Sequence, residues 1–72
     1  MVEHVAEIIE IIGSSDKGWE DAVQIAIDEA RKTIREIHGI EIVDMTAQVD
    51  PNSGKITKYK TGVKISFGVE RS

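Results

Sequence analysis

The sequence contains one segment with the apolar period of an α-helix, and segments with strand character stand on both sides of it. Between Trp19 and Ile37 apolar residues recur at intervals of three and four, which places them on one stripe of a helix. Residues 5–12, before the helix, are rich in β-branched side chains and predict a strand covered on both faces. A chain of 72 residues has no room for a second core, so residues 1–72 are predicted to form a single α+β domain.

The ends of the predicted helix carry recognisable signals. Residues 13–18 are a turn cluster that can cap the start, and His38 and Gly39 predict the end, because glycine adopts the left-handed conformation that often follows a helix. Trp19 lies on the apolar stripe and is predicted to anchor the core, not to stack on a ligand. Ile25 falls off the stripe, where it is either a lone exposed residue or a subunit contact.

Two further strands are predicted after the helix. Residues 40–49 read as one strand, and residues 50–54 as a hairpin loop with proline and glycine at suitable turn positions. A long strand follows, and its alternation places these residues on one face: Tyr59, Thr61, Val63, Ile65, Phe67 and Val69. With the helix between strands 1 and 2, an antiparallel sheet requires strand 3 in the centre, so the predicted topology is β-α-β-β with order 1-3-2.

Self-association follows from the small size of this fold. A domain of this length buries only roughly 60% of its unfolded surface. The chain has no cysteine to stabilise it by disulfides, and one helix covers only one face of the sheet. Strands 1 and 2 would also be left as open edges. We therefore predict a homo-oligomer.

The charge of the chain restricts its partners. The net charge of −4 argues against binding nucleic acid or an anionic membrane by general electrostatics. Lys58, Lys60 and Lys64 share one strand face, but that face lacks the interleaved aromatic residues of an RNA-binding sheet. The first residues lack the basic start of a signal peptide. We predict no nucleic acid or membrane partner and a cytoplasmic location.

The sequence shows no catalytic arrangement. His4 and His38 are far apart, and neither has a triad-like neighbour. Gly13 and Gly18 lack the spacing of a phosphate-binding loop. The hairpin loop differs from a calcium loop, since Thr61 stands where the bidentate glutamate should be. No nucleophile is paired with a base, so no enzyme is predicted.

Three segments together resemble one known family. They are GSSDKGWEDAVQIAIDEARKTIREI, IEIVDM and GKITKYKTGVKISFGV, and with them the chain resembles a dodecin from its first strand to Val69. The resemblance implies a β-α-β-β subunit whose sheet partly wraps its helix. It also implies that twelve subunits form a hollow shell, a homododecamer.

The resemblance also implies a set of ligand-binding positions. Flavin-binding dodecins hold riboflavin-like ligands such as FMN between subunits, with a tryptophan after the helix and a glutamine on the third strand. Gly39 stands at the tryptophan position and Lys60 at the glutamine position, while Asp44 matches an aspartate associated with the polar chain of the ligand. His38, beside Gly39, is the first alternative stacking residue. Flavin binding at these four residues is therefore predicted to be weakened.

Three functions stay open at this level. The first is a shell that sequesters a small ligand, either a flavin or another phosphate-bearing ring compound that could exploit Lys60. The second is a metal-binding shell, because some dodecins without the tryptophan are calcium-binding; here carboxylates at subunit contacts would bind a divalent cation, with no ligand residues assigned. The third is a structural or partner-directed assembly.

Overall fold

A computed structural model describes residues 3–71 of the chain, and the side chains of residues 6–68. The elements follow in the order β1 (Glu3–Ser15), α1 (Trp19–Ala30), β2 (Ile37–Val49) and β3 (Ile56–Arg71). The strands form one antiparallel sheet in the order β1-β3-β2. The predicted α+β class, element order and strand order are confirmed. The side chains of His4 and Val69 lie outside the described ones.

The core lies between α1 and the central strand β3. The buried hydrophobic residues are Ala22, Ala26 and Ala30 on the helix and Val63 and Ile65 on β3. They recur on one face of α1 and at alternate positions of β3, as the helical and strand periods predict. Alanine is small, so it brings the helix close to the sheet, but the resulting core has little volume.

Gly13 on β1 makes this close approach possible. A Cβ atom there would overlap the backbone carbonyl oxygen of Ala22 and lie 3.1 Å from the Ala26 Cβ. Next to it, the Ser15 hydroxyl donates to Asp21 Oδ2 at 2.6 Å and accepts the Lys17 N–H at 2.9 Å. These contacts fix the connection from β1 into α1.

The predicted end of the helix is wrong. α1 ends at Ala30, where the amides of Thr33 and Ile34 both donate to the Ala30 carbonyl in a turn. Ile37, which fits the helical stripe, instead pairs with Phe67 of β3. β-branched residues suit a strand, and pairing with β3 supplies hydrogen bonds that a longer helix would forgo. His38 and Gly39 therefore lie in β2 and do not terminate a helix.

The predicted hairpin is confirmed. The Gly54 N–H donates to the Asp50 carbonyl at 2.8 Å, and the Asn52 N–H donates to the Asp50 side chain at 2.8 Å. Gly54 has φ +74 and is the only residue of the described chain in the left-handed region. Glycine at this turn position avoids the cost that a Cβ atom would add.

α1 covers only one face of the sheet. On the opposite face, which we call the open face, Ile8 and Ile12 of β1 are 65% and 73% exposed. The prediction that the first strand is covered on both faces is therefore wrong for the single subunit. Within residues 3–71 the structure has no helix with the length and apolar character that a membrane span requires.

Candidate functional site

The open face contains most of the residues predicted to bind a ligand. Its members on β3 are the alternate residues that do not face α1, among them Lys60 and Gly62. Going along the sheet, the β2–β3 pairs on this face are Gly39 with Ser66, Glu41 with Lys64, Asp44 with Gly62 and Thr46 with Lys60. Asp44 and Lys60 therefore belong to adjacent pairs, and Gly39 lies further along.

A shallow cavity lies at Gly39. It has a volume of about 170 Å³ and is lined by Ile8, Gly39, Ile40, Glu41, Lys64 and Ser66. The Ser66 hydroxyl donates to the Gly39 carbonyl at 3.2 Å. A Cβ atom at Gly39 would meet only Ser66 Oγ, at 3.6 Å, so there is space for a side chain. The cavity is smaller than the roughly 300 to 1,000 Å³ of ordinary ligand pockets.

Asp44 is fixed on the open face by the backbone of β3. The pairing register shifts between Ile42 and Asp44, as at a β-bulge. At this point the Gly62 N–H donates to Asp44 Oδ1 at 3.1 Å. A Cβ atom at Gly62 would lie 2.6 Å from the same oxygen, so the carboxylate occupies space that a side chain would fill.

Lys60 and His38 lie at opposite ends of this region. Lys60 is half-buried, opposite Ser14 of β1 and Thr46 of β2. The described side chains place no carboxylate within ion-pair distance of its ammonium group. The His38 imidazole lies over Gly68, with Nε2 3.6 Å from Glu36 Oε2, and is 64% exposed.

The structure brings the four predicted residues together only in two groups. Asp44 and Lys60 form one group, and His38 and Gly39 form the other. The β3 partners of Asp44 and Gly39 are Gly62 and Ser66, which are four residues apart, or about 13 Å along a strand. A single subunit therefore presents the four residues as two separate part-sites along the sheet.

Trp19 lies at the edge of the core and not within it. It is half-buried and stacks edge-on against Tyr59, with ring centroids 4.8 Å apart. It also borders an apolar cavity of about 240 Å³ that Val23, Ile42 and Met45 help to line. The prediction of a core anchor is wrong because Trp19 is the first residue of α1, and helical side chains point towards the helix N-terminus.

Gly62 is the site residue that sequence reasoning missed. A glycine inside a strand with clean alternation is itself a signal, since it often marks a close approach of another group. The group proves to be the Asp44 carboxylate. The sequence contains the glycine but does not show which residue faces it.

The carboxylates do not converge on a metal site within one subunit. Among the described residues, no group of three or more His, Cys, Asp or Glu side chains is placed to hold a metal ion. Glu10 and Glu41 instead lie on either side of Lys64, as its partners in β1 and β2. This row alternates in charge across the sheet and is typical of favourable cross-strand pairing.

Comparisons with known proteins agree with the fold. The family model described as Dodecin matches residues 5–70. The calcium dodecin of Mycobacterium tuberculosis is 35% identical over 63 residues, which cover 88% of this chain and 86% of that protein. A dodecin from Thermus thermophilus is 27% identical over 64 residues, which cover 89% of this chain and 90% of that protein.

Solved structures give the same result. The crystal structure of the tt0972 protein from Thermus thermophilus matches with a TM-score of 0.87 and 26% identity, over 97% of this chain and all of that one. The calcium dodecin structure, described as having a novel calcium-binding site, matches with a TM-score of 0.75 and 33% identity, over 88% of this chain and 87% of that one. The predicted resemblance is thus confirmed, and the chain belongs to the dodecin family.

Proposed function

We propose that the chain is a non-enzymatic binding protein that sequesters a small ligand inside a hollow shell of twelve identical subunits. The observation that carries this proposal is the number of exposed hydrophobic side chains on the subunit. Nine large hydrophobic side chains of the described region are at least 40% exposed: Ile8, Ile12, Ile25, Ile40, Ile42, Val43, Met45, Val49 and Ile56. Surface of this extent on so small a fold supports contact with other copies.

The energetics of the core support assembly. Only five hydrophobic residues of the described region are buried, and three of them are alanines. Burying apolar surface contributes about 25 cal/mol per Å², so the exposed hydrophobic side chains could still add stabilisation if other copies covered them. The outer edges of β1 and β2 have no partner strand within the described chain. Contacts between subunits would bury this surface and cover these edges.

The proposed ligand is a flavin that carries a phosphate, with FMN as the first candidate. The two part-sites of one subunit are separate, which favours a pocket completed by neighbouring subunits. Lys60 supplies a positive charge for a phosphate, and Asp44 supplies an acceptor for ligand hydroxyl groups. Gly39 offers no ring for stacking and Lys60 cannot accept a hydrogen bond, so binding is proposed to be weak.

A calcium-binding shell is the second candidate. It is favoured by the relationship to the Mycobacterium tuberculosis protein named calcium dodecin. Since the described residues of one subunit form no cluster of three ligands, calcium would need carboxylates from several subunits. A purely structural or partner-directed shell requires neither ligand. The cytoplasmic location stays a prediction.

Native mass spectrometry of the protein purified from cells tests these proposals together. We expect a mass of twelve subunits, with or without bound FMN, and quenching of FMN fluorescence on titration. Extra mass in multiples of calcium, removed by a chelator, would instead support the calcium-binding shell. A monomer at micromolar concentration would contradict the shell itself. A dodecamer that binds neither probe would support the structural alternative.

A further inference from the structure

We infer that Gly62 is a positioning residue of the ligand site: it lacks a side chain so that the Asp44 carboxylate can lie against β3 with one oxygen held and the other left for the ligand. The inference rests on the proposed function in one respect, since it assigns the second oxygen to a ligand. The position of the carboxylate itself is independent of any ligand.

The contact between the two residues is specific to one oxygen. The Gly62 N–H donates to Asp44 Oδ1 at 3.1 Å. Among the described residues, no hydrogen bond reaches Oδ2. A charge-assisted hydrogen bond to a backbone donor fixes a side chain more firmly than contact with solvent does. Asp44 is exposed, so the backbone of β3, and not burial, determines where its carboxylate lies.

A side chain at Gly62 would displace this carboxylate. A Cβ atom there would lie 2.6 Å from Oδ1 and 3.3 Å from Cγ of Asp44. The atoms in the way belong to the end of a side chain that can rotate, in contrast to Gly13, where a Cβ atom would overlap the backbone of α1. Gly62→Ala is therefore expected to move Asp44 and to leave the fold and the assembly intact.

The geometry also indicates a class of ligand. With Oδ1 engaged, Asp44 presents Oδ2 as an acceptor, which suits a hydroxyl group of the ligand. Calcium often takes a carboxylate through both oxygens, and here one of them already accepts a hydrogen bond. Lys60 belongs to the next pair along the sheet, so a ligand with hydroxyl groups beside a phosphate could contact both residues.

Crystal structures of the wild type and Gly62→Ala test the positioning. We expect the alanine to break the contact between Asp44 Oδ1 and the amide of residue 62 and to rotate the aspartate. Gly18→Ser is the matched control, because Gly18 has no heavy atom within 4 Å of an added Cβ and lies outside the site. An Asp44 side chain that keeps its contact in Gly62→Ala would overturn the inference.

A double-mutant cycle with FMN tests the connection to the ligand. Gly62→Ala should weaken FMN binding about tenfold when Asp44 is present, the loss expected for a hydrogen bond to a charged group, and less than about twofold in an Asp44→Ala background. Equal losses in both backgrounds would show that Gly62 acts in another way and overturn the inference. A wild type that binds no FMN would refute the proposed ligand and the role of the free oxygen, while the crystal structures would still decide the positioning.

Discussion

The indole Nε1 of Trp19 donates a hydrogen bond of 2.9 Å to the carbonyl oxygen of Thr46. This bond joins the first residue of α1 to the edge strand β2. The helix otherwise packs mainly on β1 and β3. The bond therefore links α1 to β2, the strand on which the helix packs least.

Substitutions at Trp19 should separate the contribution of this hydrogen bond to the free energy of unfolding from the contribution of ring packing. Trp19→Phe removes the donor and is expected to cost about 1 kcal/mol in the free energy of unfolding. Trp19→Ala also removes the contact with Tyr59 and should cost about 2 to 3 kcal/mol, less than a fully buried ring, because Trp19 is half-buried. Denaturant unfolding at one fixed protein concentration measures both. Loss of FMN binding at unchanged stability would instead show that the indole contacts the ligand.

Gly13→Ala is predicted to destabilise the subunit strongly. The added methyl group would overlap the Ala22 carbonyl, which belongs to the backbone of α1 and has nowhere to move without displacing the helix. Overpacking of this kind costs about 1 to 3 kcal/mol or more. Thermal unfolding measures it, with Gly18→Ser as a control that should change stability by only a few tenths of a kcal/mol. Equal stability of the two variants would mean that α1 lies further from β1.

Ile12→Glu should weaken the assembly. Ile12 is 73% exposed on the open face, so its substitution removes apolar contact surface without disturbing the core. Sedimentation velocity should then show smaller species, while the control Ile12→Val keeps the full oligomer. Ile25 is 44% exposed on α1, and Ile25→Glu decides between a lone exposed residue and a subunit contact. An intact oligomer in both glutamate variants would place the contacts elsewhere.

The sequence period predicts the start of α1 and all three strands, but it misplaces the end of the helix. Ile37 fits the helical stripe, yet pairing with β3 decides its conformation, and this is a tertiary interaction. Ile34 also fits the stripe but lies in the turn between α1 and β2. The candidate site is less predictable still. The contact between Asp44 and Gly62 depends on cross-strand register and on a register shift, which the pattern of one segment does not determine. Completion of the site by other copies would depend on contacts between subunits, which the pattern of one segment determines even less.

The final prediction is that Gly39→Trp together with Lys60→Gln strengthens FMN binding. Gly39 does not have positive φ, so tryptophan there carries no left-handed strain. The nearest obstacle to its Cβ is Ser66 Oγ at 3.6 Å, an ordinary contact. Stacking of a planar ring on an aromatic side chain contributes about 1 to 3 kcal/mol, which corresponds to roughly ten- to a hundredfold in affinity.

Quenching of FMN fluorescence, titrated with the wild type, both single variants and the double variant, measures this gain. Gly39→Trp should supply most of it, because it adds the missing ring. Lys60→Gln adds a hydrogen-bond acceptor but removes a charge that favours the phosphate, so alone it should improve riboflavin binding more than FMN binding. Gly39→Ala is the control, since it adds a Cβ atom without a ring and should leave the affinity nearly unchanged. Tight binding by the wild type that neither substitution improves would mean that another residue stacks on the flavin. His38 lies beside Gly39 with an exposed imidazole, so His38→Ala would then be expected to abolish the binding.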